Sequence, residues 1–317
     1  MQALDTIGTK FLGKLGYLFR KCIFSVVSVG PIPTHIAFIM DGNRRYARKH
    51  NLKEGSGHRV GFLALTTMLK YCSELGVKYV TAYAFSVDNF KRQPEEVQYV
   101  MDLMQEIIEL LKEESMVSKF GFRLHFVGNL KLLKESTRAA VEKAMAATAN
   151  NNNIMLLICV PYSSTDEIVN AVQESYNEKR RKVQEQDSSG SGGDMIEVDS
   201  DENDQEFAIK LSDLERHMYM SVCPEPDILV RSSGANRLSN FLLWQTTNCY
   251  LYSPAVLWPE ISLWHLVWVI LNFQRVQPNL EKMLYNENEK LVKYENKNTK
   301  LRVFFRNPPL LVEYSTV

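Results

Sequence analysis

One short stretch constrains the fold more than any other part of the chain: the run from His35 to Arg45, HIAFIMDGNRR. Its apolar residues at positions 36–40 are typical of a strand that is buried on both faces. The run stops at Asp41-Gly42-Asn43, where glycine and asparagine tolerate positive φ, and two arginines follow. A carboxylate beside backbone N–H groups and guanidinium groups suits a magnesium-bound phosphorylated ligand. An ordinary strand-to-helix turn with a solvated basic face explains the same residues equally well.

The rest of the chain alternates between apolar runs and helical periodicities. Strands are predicted at residues 79–86, 123–127, 154–160 and 227–231, and helices at 57–76, 95–114, 134–150, 165–179, 211–219 and 263–275. Strands that alternate with single helices predict an α/β fold with a mainly parallel central sheet flanked by helices. Residues 181–207, rich in Ser, Gly, Asp and Glu, are predicted to be a disordered insertion, and residues 276–317 a polar C-terminal tail.

Composition argues against several classes of partner and site. Lysines plus arginines equal aspartates plus glutamates at 37 each, so the charge balance indicates no nucleic-acid partner. The cysteines are widely spaced and form no CxxC pair, which favours free thiols in a reducing compartment over a zinc site. The longest apolar stretch, residues 261–273, is too short to span a bilayer and is predicted to be a core helix.

Residues 1–30 precede the predicted core and have a pattern of their own. Apolar residues from Leu4 to Cys22 recur at helical spacing, lysines and arginines lie between them, and no acidic residue occurs between Thr6 and Pro31. An amphipathic helix on an anionic membrane surface fits this pattern. A cleaved transit peptide, or a helix packed on a partner protein, fits it as well.

Four groups of polar residues fall at or just beyond strand ends, where open α/β sheets place their ligands. They are residues 41–45, His58 within GSGHRVG, residues 86–92 (SVDNFKR) with Glu96, and residues 231–240 (RSSGANRLSN). In the last group, Arg231 and Arg237 bracket a Ser/Gly loop that offers N–H groups, hydroxyls and two guanidinium forks to a diphosphate.

Each group also has a simpler explanation. His58 serves equally as a helix-capping or packing residue, SVDNFKR as a polar loop, and RSSGANR as a flexible turn. Met101 and Met104 are expected in the core rather than in a channel. The sequence contains no Ser-His-Asp order, glycine-rich nucleotide fingerprint or Walker motif. The residues alone therefore indicate an α/β protein that binds a phosphorylated ligand, and no more.

Taken in order, the four groups resemble the cis-prenyltransferases, the family of undecaprenyl and dehydrodolichyl diphosphate synthases. The matching segments, over roughly residues 31–275, include HIAFIMDGNRRYARK, GHRVG, YAFSVDNFKR, FVGNL, RSSGANRLSNFLLWQ and LWPE. Other segments are similar to the plant branch, which includes the rubber-type enzymes: GPIPTHIAFIMDGNRR, ATANN, YSSTDEIV and QTTNCYLYSP.

This resemblance implies the addition of isopentenyl diphosphate to an allylic diphosphate (farnesyl or longer), with Mg²⁺ as cofactor. It also implies a single domain with an apolar product tunnel between the helices that start near Gly57 and Glu95. Asp41 would hold the metal and act in catalysis with Asn89 and Arg45. The remaining matched positions would bind substrate: Gly42, Asn43, Arg44 and His58 around the allylic diphosphate, Ser86, Phe90, Arg92 and Glu96 at the reacting end, and Arg231, Arg237 and Ser239 around isopentenyl diphosphate.

The sequence departs from the family pattern in a few places. Glu54 replaces an expected phosphate-binding arginine, and Ala235 and Tyr250 stand where acidic residues are usual. The sequence also lacks the Arg-x-Gly ending that completes the site in the family. The resemblance therefore implies a Nogo-B-receptor-like partner that supplies this element. It also implies a location on the cytoplasmic face of the endoplasmic reticulum membrane, or on a rubber particle. A catalytically weak or inert scaffold subunit of such a complex is the alternative.

Overall fold

The computed structural model of the chain describes residues 16–53, 55–112, 121–189 and 209–296. Glu54 and most of the predicted insertion lie outside these residues. The strands are β1 (His35–Ile39), β2 (Tyr79–Tyr83), β3 (Phe122–Val127), β4 (Ile154–Cys159), β5 (Ile228–Arg231) and β6 (Tyr250–Tyr252). The helices are α1 (16–27), α2 (Asn43–Lys49), α3 (Ser56–Leu75), α4 (Pro94–Lys112), α5 (Glu135–Thr148), α6 (Ser164–Ser189), α7 (Leu211–His217) and α8 (Leu263–Asn296). Short 3₁₀ turns cover Val87–Lys91, Leu130–Leu132, Tyr219–Val222 and Trp258–Glu260.

The strands form one six-stranded sheet in the order β3-β4-β2-β1-β5-β6, and every pairing is parallel. All five residues of β1 are buried, as the continuous apolar run predicted. The predicted single-domain α/β fold with a parallel sheet flanked by helices is therefore confirmed. The short edge strand β6 was not predicted, because its Tyr-Leu-Tyr sequence is too brief to show a period.

The order of the strands determines where a ligand can bind. Strands β2, β4 and β3 lie in that order on one side of β1. After β4 the chain crosses to the other side of β1, where it forms β5. In this register Ile39 of β1 pairs with Tyr83 of β2 and with Arg231 of β5. Three neighbouring strands thus end at the same level, on either side of the point where the strand order reverses. Open α/β sheets bind ligands at such a point.

Two glycines bring helix α3 close to the start of α2. A Cβ atom at Gly57 would collide with the carbonyl oxygen of Asn43, and one at Gly61 would collide with the Asn43 side chain. Gly57 and Gly61 lie four residues apart and therefore face the same neighbour. Trp258 adds a third contact, since its indole N–H donates to the Gly61 carbonyl at 2.8 Å. The first turn of α2 is consequently packed against one wall of the site.

Helix α1 is partly built into the core, which the sequence did not predict. Phe24 and Val27 are buried in the hydrophobic core, and Gln274 Nε2 donates to the Val27 carbonyl oxygen at 2.8 Å. Arg20 forms two hydrogen bonds to Glu74 of α3. Other apolar side chains of this region are exposed, including Leu18, Phe19 and Val26. Residues 1–15, which carry most of the predicted apolar stripe, lie outside the described residues.

Two predicted boundaries are wrong. Helix α6 continues past the predicted end near residue 179 to Ser189, so residues 181–189 are helical and not a disordered insertion. Helix α8 does not end near Arg275 but runs to Asn296, through Pro278, so the first half of the predicted polar tail is helix. Glu, Lys, Leu and Asn dominate that part, and the first three are good helix formers even where no apolar face is required. Of the described helices, none is both long enough and apolar enough to span a bilayer.

Backbone contacts cluster in two compact units. The first comprises Met1–Asp166 and Val222–Leu284 and contains all six strands. The second comprises Glu167–Ser221 and Tyr285–Val317. Inside the second unit, Glu178 of α6 accepts hydrogen bonds from Arg216 and His217 of α7 at 2.6 and 2.8 Å. The residues of the candidate site all belong to the first unit.

Candidate active site

Asp41 and Arg231 are joined across the crevice between β1 and β5. Arg231 Nη2 donates to Asp41 Oδ2 at 2.7 Å, and Arg45 Nη2 donates to Oδ1 at 3.1 Å. Gly42, which separates Asp41 from α2, has φ 109°, and a side chain there would collide with Leu257. The sequence predicted that Asp41, Arg45 and Arg231 lie at strand ends, and the structure brings all three together.

The backbone of Asp41 is fixed by two further residues. Ser232 Oγ and the Trp258 N–H donate to the Asp41 carbonyl oxygen at 2.6 and 2.9 Å. The Trp258 ring is fully buried and lies 5.5 Å from the ring of Phe38. Sequence reasoning did not assign a role to Ser232 or Trp258, although the motifs RSSG and LWPE contain them.

The Asp41 carboxyl is held in its charged form. Burial alone would raise its pKa, but the hydrogen bond and charge of Arg231 outweigh burial, with further help from Ser233 and Arg45, so the pKa lies below its ordinary value. An ionised carboxylate with 26% of its side chain exposed is available to a cation or to a polarised ligand. A single ionised oxygen donor of this kind is typical of magnesium sites that the substrate's phosphates complete.

A second set of ion pairs links α2 to the start of α4, next to His58 of α3. Glu96 accepts from Arg92 at 2.8 Å and from Arg44 at 3.3 Å. His58, in the first turn of α3, has a lowered pKa because it is buried and lies near Arg92 and Arg44, although Glu96 acts in the opposite direction. Its imidazole is therefore neutral near pH 7 and offers one N–H donor.

The SVDNFKR segment forms a 3₁₀ turn at the end of β2. Ser86 caps this turn by accepting from the Asp88 N–H at 3.2 Å, and the Asn89 N–H donates to the Ser86 carbonyl. The ring of Phe90 packs edge-on against Phe85 at 5.0 Å. Ser86 and Asn89 thereby face the same opening as Asp41.

The RSSGANRLSN loop is wrapped around the Arg231 side chain. Arg231 Nη1 donates to Ser239 Oγ at 2.6 Å and to the Arg237 carbonyl oxygen at 2.7 Å. Non-glycine residues of this loop region have positive φ, namely Ser233 at 77°, Ser239 at 50°, Asn240 at 57° and Leu242 at 48°. Residues of this type rarely adopt that region, so surrounding contacts must hold the loop in place.

Two adjoining cavities meet at these residues. The smaller, about 420 Å³, is a polar recess. The larger, about 610 Å³, begins at the same side chains and continues into the core. The residues common to both are Met40, Asp41, Asn43, Arg44, His58, Arg92 and Arg237.

The walls of the two cavities differ sharply in chemistry. The polar recess has arginines at positions 44, 45, 48, 92 and 237, and among the described residues that line it Asp41 alone is acidic. The deep end of the larger cavity is apolar and is lined by Leu65 of α3, Val100, Met104 and Ile108 of α4, and Phe126, Leu156 and Ile158 of the sheet. The apolar cavity predicted between α3 and α4 is present, and Met104, which was expected in the core, contributes to it.

The remaining predicted residues are also in this region. Ser86, Asn89 and Ser239 line the larger cavity, and Gly42 lines the recess. Phe90 and Glu96 line neither cavity but support residues that do. Tyr83 and Trp258, which were not predicted, line the larger cavity. Among the described residues, no three His, Cys, Asp or Glu side chains form a group that could hold a metal ion.

A strongly basic recess that opens into a long apolar cavity defines a class of protein. Its ligand has an anionic head that guanidinium groups hold, and a hydrocarbon body that the apolar walls accept. The fold, the strand ends and both cavities therefore describe an α/β protein for amphipathic phosphorylated molecules.

Comparison with known proteins identifies the family. The family model described as putative undecaprenyl diphosphate synthase matches residues 39–281, and the chain belongs to this family of cis-prenyltransferases. It is accordingly a transferase, as the resemblance implied.

The relatives include plant, mammalian and structurally characterised proteins. Dehydrodolichyl diphosphate synthase of Solanum lycopersicum is 61% identical over 258 residues, 81% of this chain and 89% of the relative. Rubber cis-polyprenyltransferase of Hevea brasiliensis is 55% identical over 269 residues, 84% and 93% of the two chains. The human dehydrodolichyl diphosphate synthase complex subunit is 39% identical over 281 residues, which are 88% of this chain and 78% of the relative. The structure of lavandulyl diphosphate synthase of Lavandula x intermedia matches with a TM-score of 0.61 at 25% identity. The match covers 76% of this chain and 95% of that structure.

Proposed function

We propose that this chain is the catalytic subunit of a cis-prenyltransferase that adds isopentenyl diphosphate to an allylic diphosphate, farnesyl or longer. The product is a cis-polyprenyl diphosphate, a precursor of dolichol or of natural rubber. The observation that carries the proposal is the continuous passage from the basic recess around Asp41 into the apolar cavity. The plant relatives named as dehydrodolichyl diphosphate synthase and rubber cis-polyprenyltransferase support the choice of product.

The proposed chemistry follows from the charges of the recess. Breaking the C–O bond of an allylic diphosphate leaves negative charge on the departing diphosphate. Arg44, Arg45 and Arg48 neutralise that charge from helix α2 and Arg92 from the segment just before α4, while neutral His58 donates a hydrogen bond. The hydrocarbon chain then points into the apolar cavity, away from water.

The second substrate binds at the β5 side of the crevice. Arg231, Arg237 and Ser239 hold the diphosphate of isopentenyl diphosphate, and Arg231 is the group that also contacts Asp41. Ser86 and Asn89 line the larger cavity together with Asp41 and Arg231, and the reacting carbon atoms meet there. Each elongation cycle places the new double bond next to the polar recess and moves the older chain deeper.

The residues present can hold Mg²⁺ only when the substrate is bound as well. Asp41 is ionised and partly exposed and would supply one carboxylate, and diphosphate oxygens would complete the ligand set. Bound there, Mg²⁺ would neutralise part of the charge on the leaving diphosphate. The chain's own contribution is to keep Asp41 charged through Arg231 and Arg45, and to fix its backbone through Ser232 and Trp258.

A partner subunit and a membrane surface belong to the proposal. The human relative is named a complex subunit, which supports a Nogo-B-receptor-like partner that supplies an Arg-x-Gly element. Leu18, Phe19 and Val26 expose apolar side chains next to Lys21, an arrangement suited to an anionic lipid surface. The cytoplasmic face of the endoplasmic reticulum, or a rubber particle, offers that surface.

The test is incorporation of labelled isopentenyl diphosphate onto farnesyl diphosphate with magnesium, with and without the partner, followed by sizing of the product. Activity that requires the partner supports the heteromeric catalytic subunit. Asp41→Asn serves as the inactive control. No incorporation in either preparation, with folding verified, would instead favour the scaffold alternative.

The membrane part is tested separately. Leu18→Ser with Phe19→Ser changes exposed residues only, whereas deletion of residues 1–30 would also remove the buried Phe24 and Val27. The double variant should move from the membrane fraction to the soluble fraction at unchanged thermal stability. Unchanged membrane recovery would contradict the proposed lipid contact.

A further inference from the structure

We propose that Tyr83 is a positioning residue that holds the Ser239 segment in its strained conformation and so keeps the isopentenyl diphosphate site formed. The inference rests on the proposed function, since the assignment of Arg231, Arg237 and Ser239 to isopentenyl diphosphate is part of it. The matching segment YAFSVDNFKR begins with this tyrosine, but neither the resemblance nor the strand periodicity assigned it a role.

The Ser239 segment needs contacts that hold it. Ser239 and Asn240 are consecutive non-glycine residues with positive φ, and Leu242 follows with φ 48°. Asparagine tolerates this conformation, but serine and leucine rarely adopt it, so the segment relaxes unless its surroundings hold Ser239 and Leu242 in place. A relaxed segment would move the Ser239 hydroxyl away from Arg231.

Several contacts at the outer side of the segment are with the start of α6. Asn240 Oδ1 accepts from the Thr165 N–H at 3.1 Å, and the Ser164 N–H donates to the Asn240 carbonyl oxygen at 2.8 Å. Ser164 Oγ accepts from the Leu243 N–H at 2.9 Å. These bonds fix Asn240 and the residues after it, but none of them involves the Ser239 carbonyl oxygen.

Tyr83 contacts the Ser239 carbonyl oxygen. Its single hydroxyl proton is shared between the Tyr162 carbonyl oxygen at 3.2 Å and the Ser239 carbonyl oxygen at 3.4 Å. Its ring stacks on Phe241 with the centroids 4.3 Å apart and the planes 14° apart. Tyr83 therefore contacts both the backbone of residue 239 and the side chain of residue 241, on either side of Asn240.

The position of Tyr83 in the sheet makes this contact rigid. Tyr83 is the last residue of β2 and stands at the level of Ile39, whose other neighbour is Arg231. The same chain segment continues to Ser86, which lines the larger cavity. Burial raises the pKa of Tyr83 to about 12, partly offset by the Ser86 hydroxyl, so the phenol stays a proton donor under all working conditions.

The experiment compares Tyr83→Phe with the unaltered chain, each in the presence of the partner and magnesium. Phenylalanine keeps the ring that stacks on Phe241 and removes the hydroxyl alone. Loss of one neutral hydrogen bond predicts a rise of about fivefold in KM for isopentenyl diphosphate. KM for farnesyl diphosphate and kcat should stay within about twofold. Tyr79→Phe, at the opposite end of the same strand, is the matched control and should change neither KM.

The outcomes separate this inference from the proposed function. If the unaltered chain with its partner shows no incorporation, the proposed function fails. If it is active and Tyr83→Phe has an unchanged KM for isopentenyl diphosphate, only the inference fails. An equal rise in both KM values would also overturn it, because the effect would not be confined to the Ser239 side. A melting scan checks the case in which the variant simply unfolds. In that case Phe241→Leu, which removes the ring that Tyr83 stacks on and keeps the Tyr83 hydroxyl, should give the same selective rise, and an unchanged KM for isopentenyl diphosphate would overturn the inference.

Discussion

The buried histidine at the start of the central strand makes the stability of this protein depend on pH. His35 has no exposed surface; its Nδ1 lies 2.7 Å from the Pro224 carbonyl oxygen and its Nε2 lies 2.7 Å from Thr81 Oγ1. A carbonyl can only accept, so Nδ1 carries the proton and Nε2 accepts from the threonine hydroxyl. Burial lowers the pKa of His35 to about 4, although hydrogen bonds to backbone carbonyl oxygens act in the opposite direction.

The sign and size of the effect follow from linkage. The folded state binds the proton less readily than the unfolded state, whose histidine pKa is about 6.5. The contribution of His35 is therefore fully present above about pH 6.5 and is lost as pH falls from there through about 4. Between about pH 7.5 and pH 5 the loss amounts to about 2 kcal/mol, and it approaches about 3 kcal/mol below pH 4.

Urea unfolding of the unaltered chain and of His35→Asn, each at about pH 7.5 and about pH 5, measures this loss. Asparagine donates to the Pro224 carbonyl but does not titrate, and the other histidines with lowered pKa, at positions 58, 125 and 265, are present in both proteins and cancel. The unaltered chain should lose about 2 kcal/mol more than the variant on acidification. Parallel losses would show that His35 is not a buried neutral group and would refute the reasoning.

Three further changes test other parts of the structure. Asp41→Asn should lower kcat/KM by at least about a hundredfold with little change in melting temperature, because the amide still accepts from Arg231 but carries no charge; near-normal turnover in the partner assay would contradict the role of this carboxylate. Ile108→Trp should shorten the product by filling the deep end of the apolar cavity, and product sizing that finds an unchanged length would show that the chain does not enter there. Phe24→Ala should lower the free energy of unfolding by about 3–4 kcal/mol, whereas Phe19→Ala, at 60% exposure, should stay within about 0.5 kcal/mol; equal effects in chemical denaturation would mean that α1 does not pack in the core.

The sequence was sufficient to predict the sheet and the location of the polar groups at its strand ends, because both follow from short-range patterns; the roles of the individual residues came from the family resemblance. A continuous apolar run predicts a buried parallel strand, and parallel strands must end at one edge, so Asp41 and Arg231 were expected to be close. The partners of each side chain were not predictable in this way. That Glu96 joins Arg44 to Arg92 depends on how α2 and α4 are oriented, which no local pattern encodes.

Other features escaped prediction for different physical reasons. Tyr83 looks like any strand residue, and its role depends on a loop more than a hundred residues later in the chain. The positive φ of Ser239 and Leu242 could not be predicted, because serine and leucine, unlike glycine and asparagine, rarely adopt that conformation. The extension of α8 to Asn296 was missed because a polar composition was taken as evidence against regular structure, whereas Glu, Lys and Leu form helix readily.

The contact of Gly57 and Gly61 with Asn43 has a consequence for attempts to redesign the enzyme. The same helix supplies Leu65 to the apolar cavity, one turn beyond the glycine pair. A substitution that shifts α3 to widen or narrow the cavity must also push on Asn43, and hence on the turn that presents Asp41. Product length and catalytic efficiency are therefore coupled traits in this chain. Variants selected for one should show correlated changes in the other unless the backbone of α3 stays where it is.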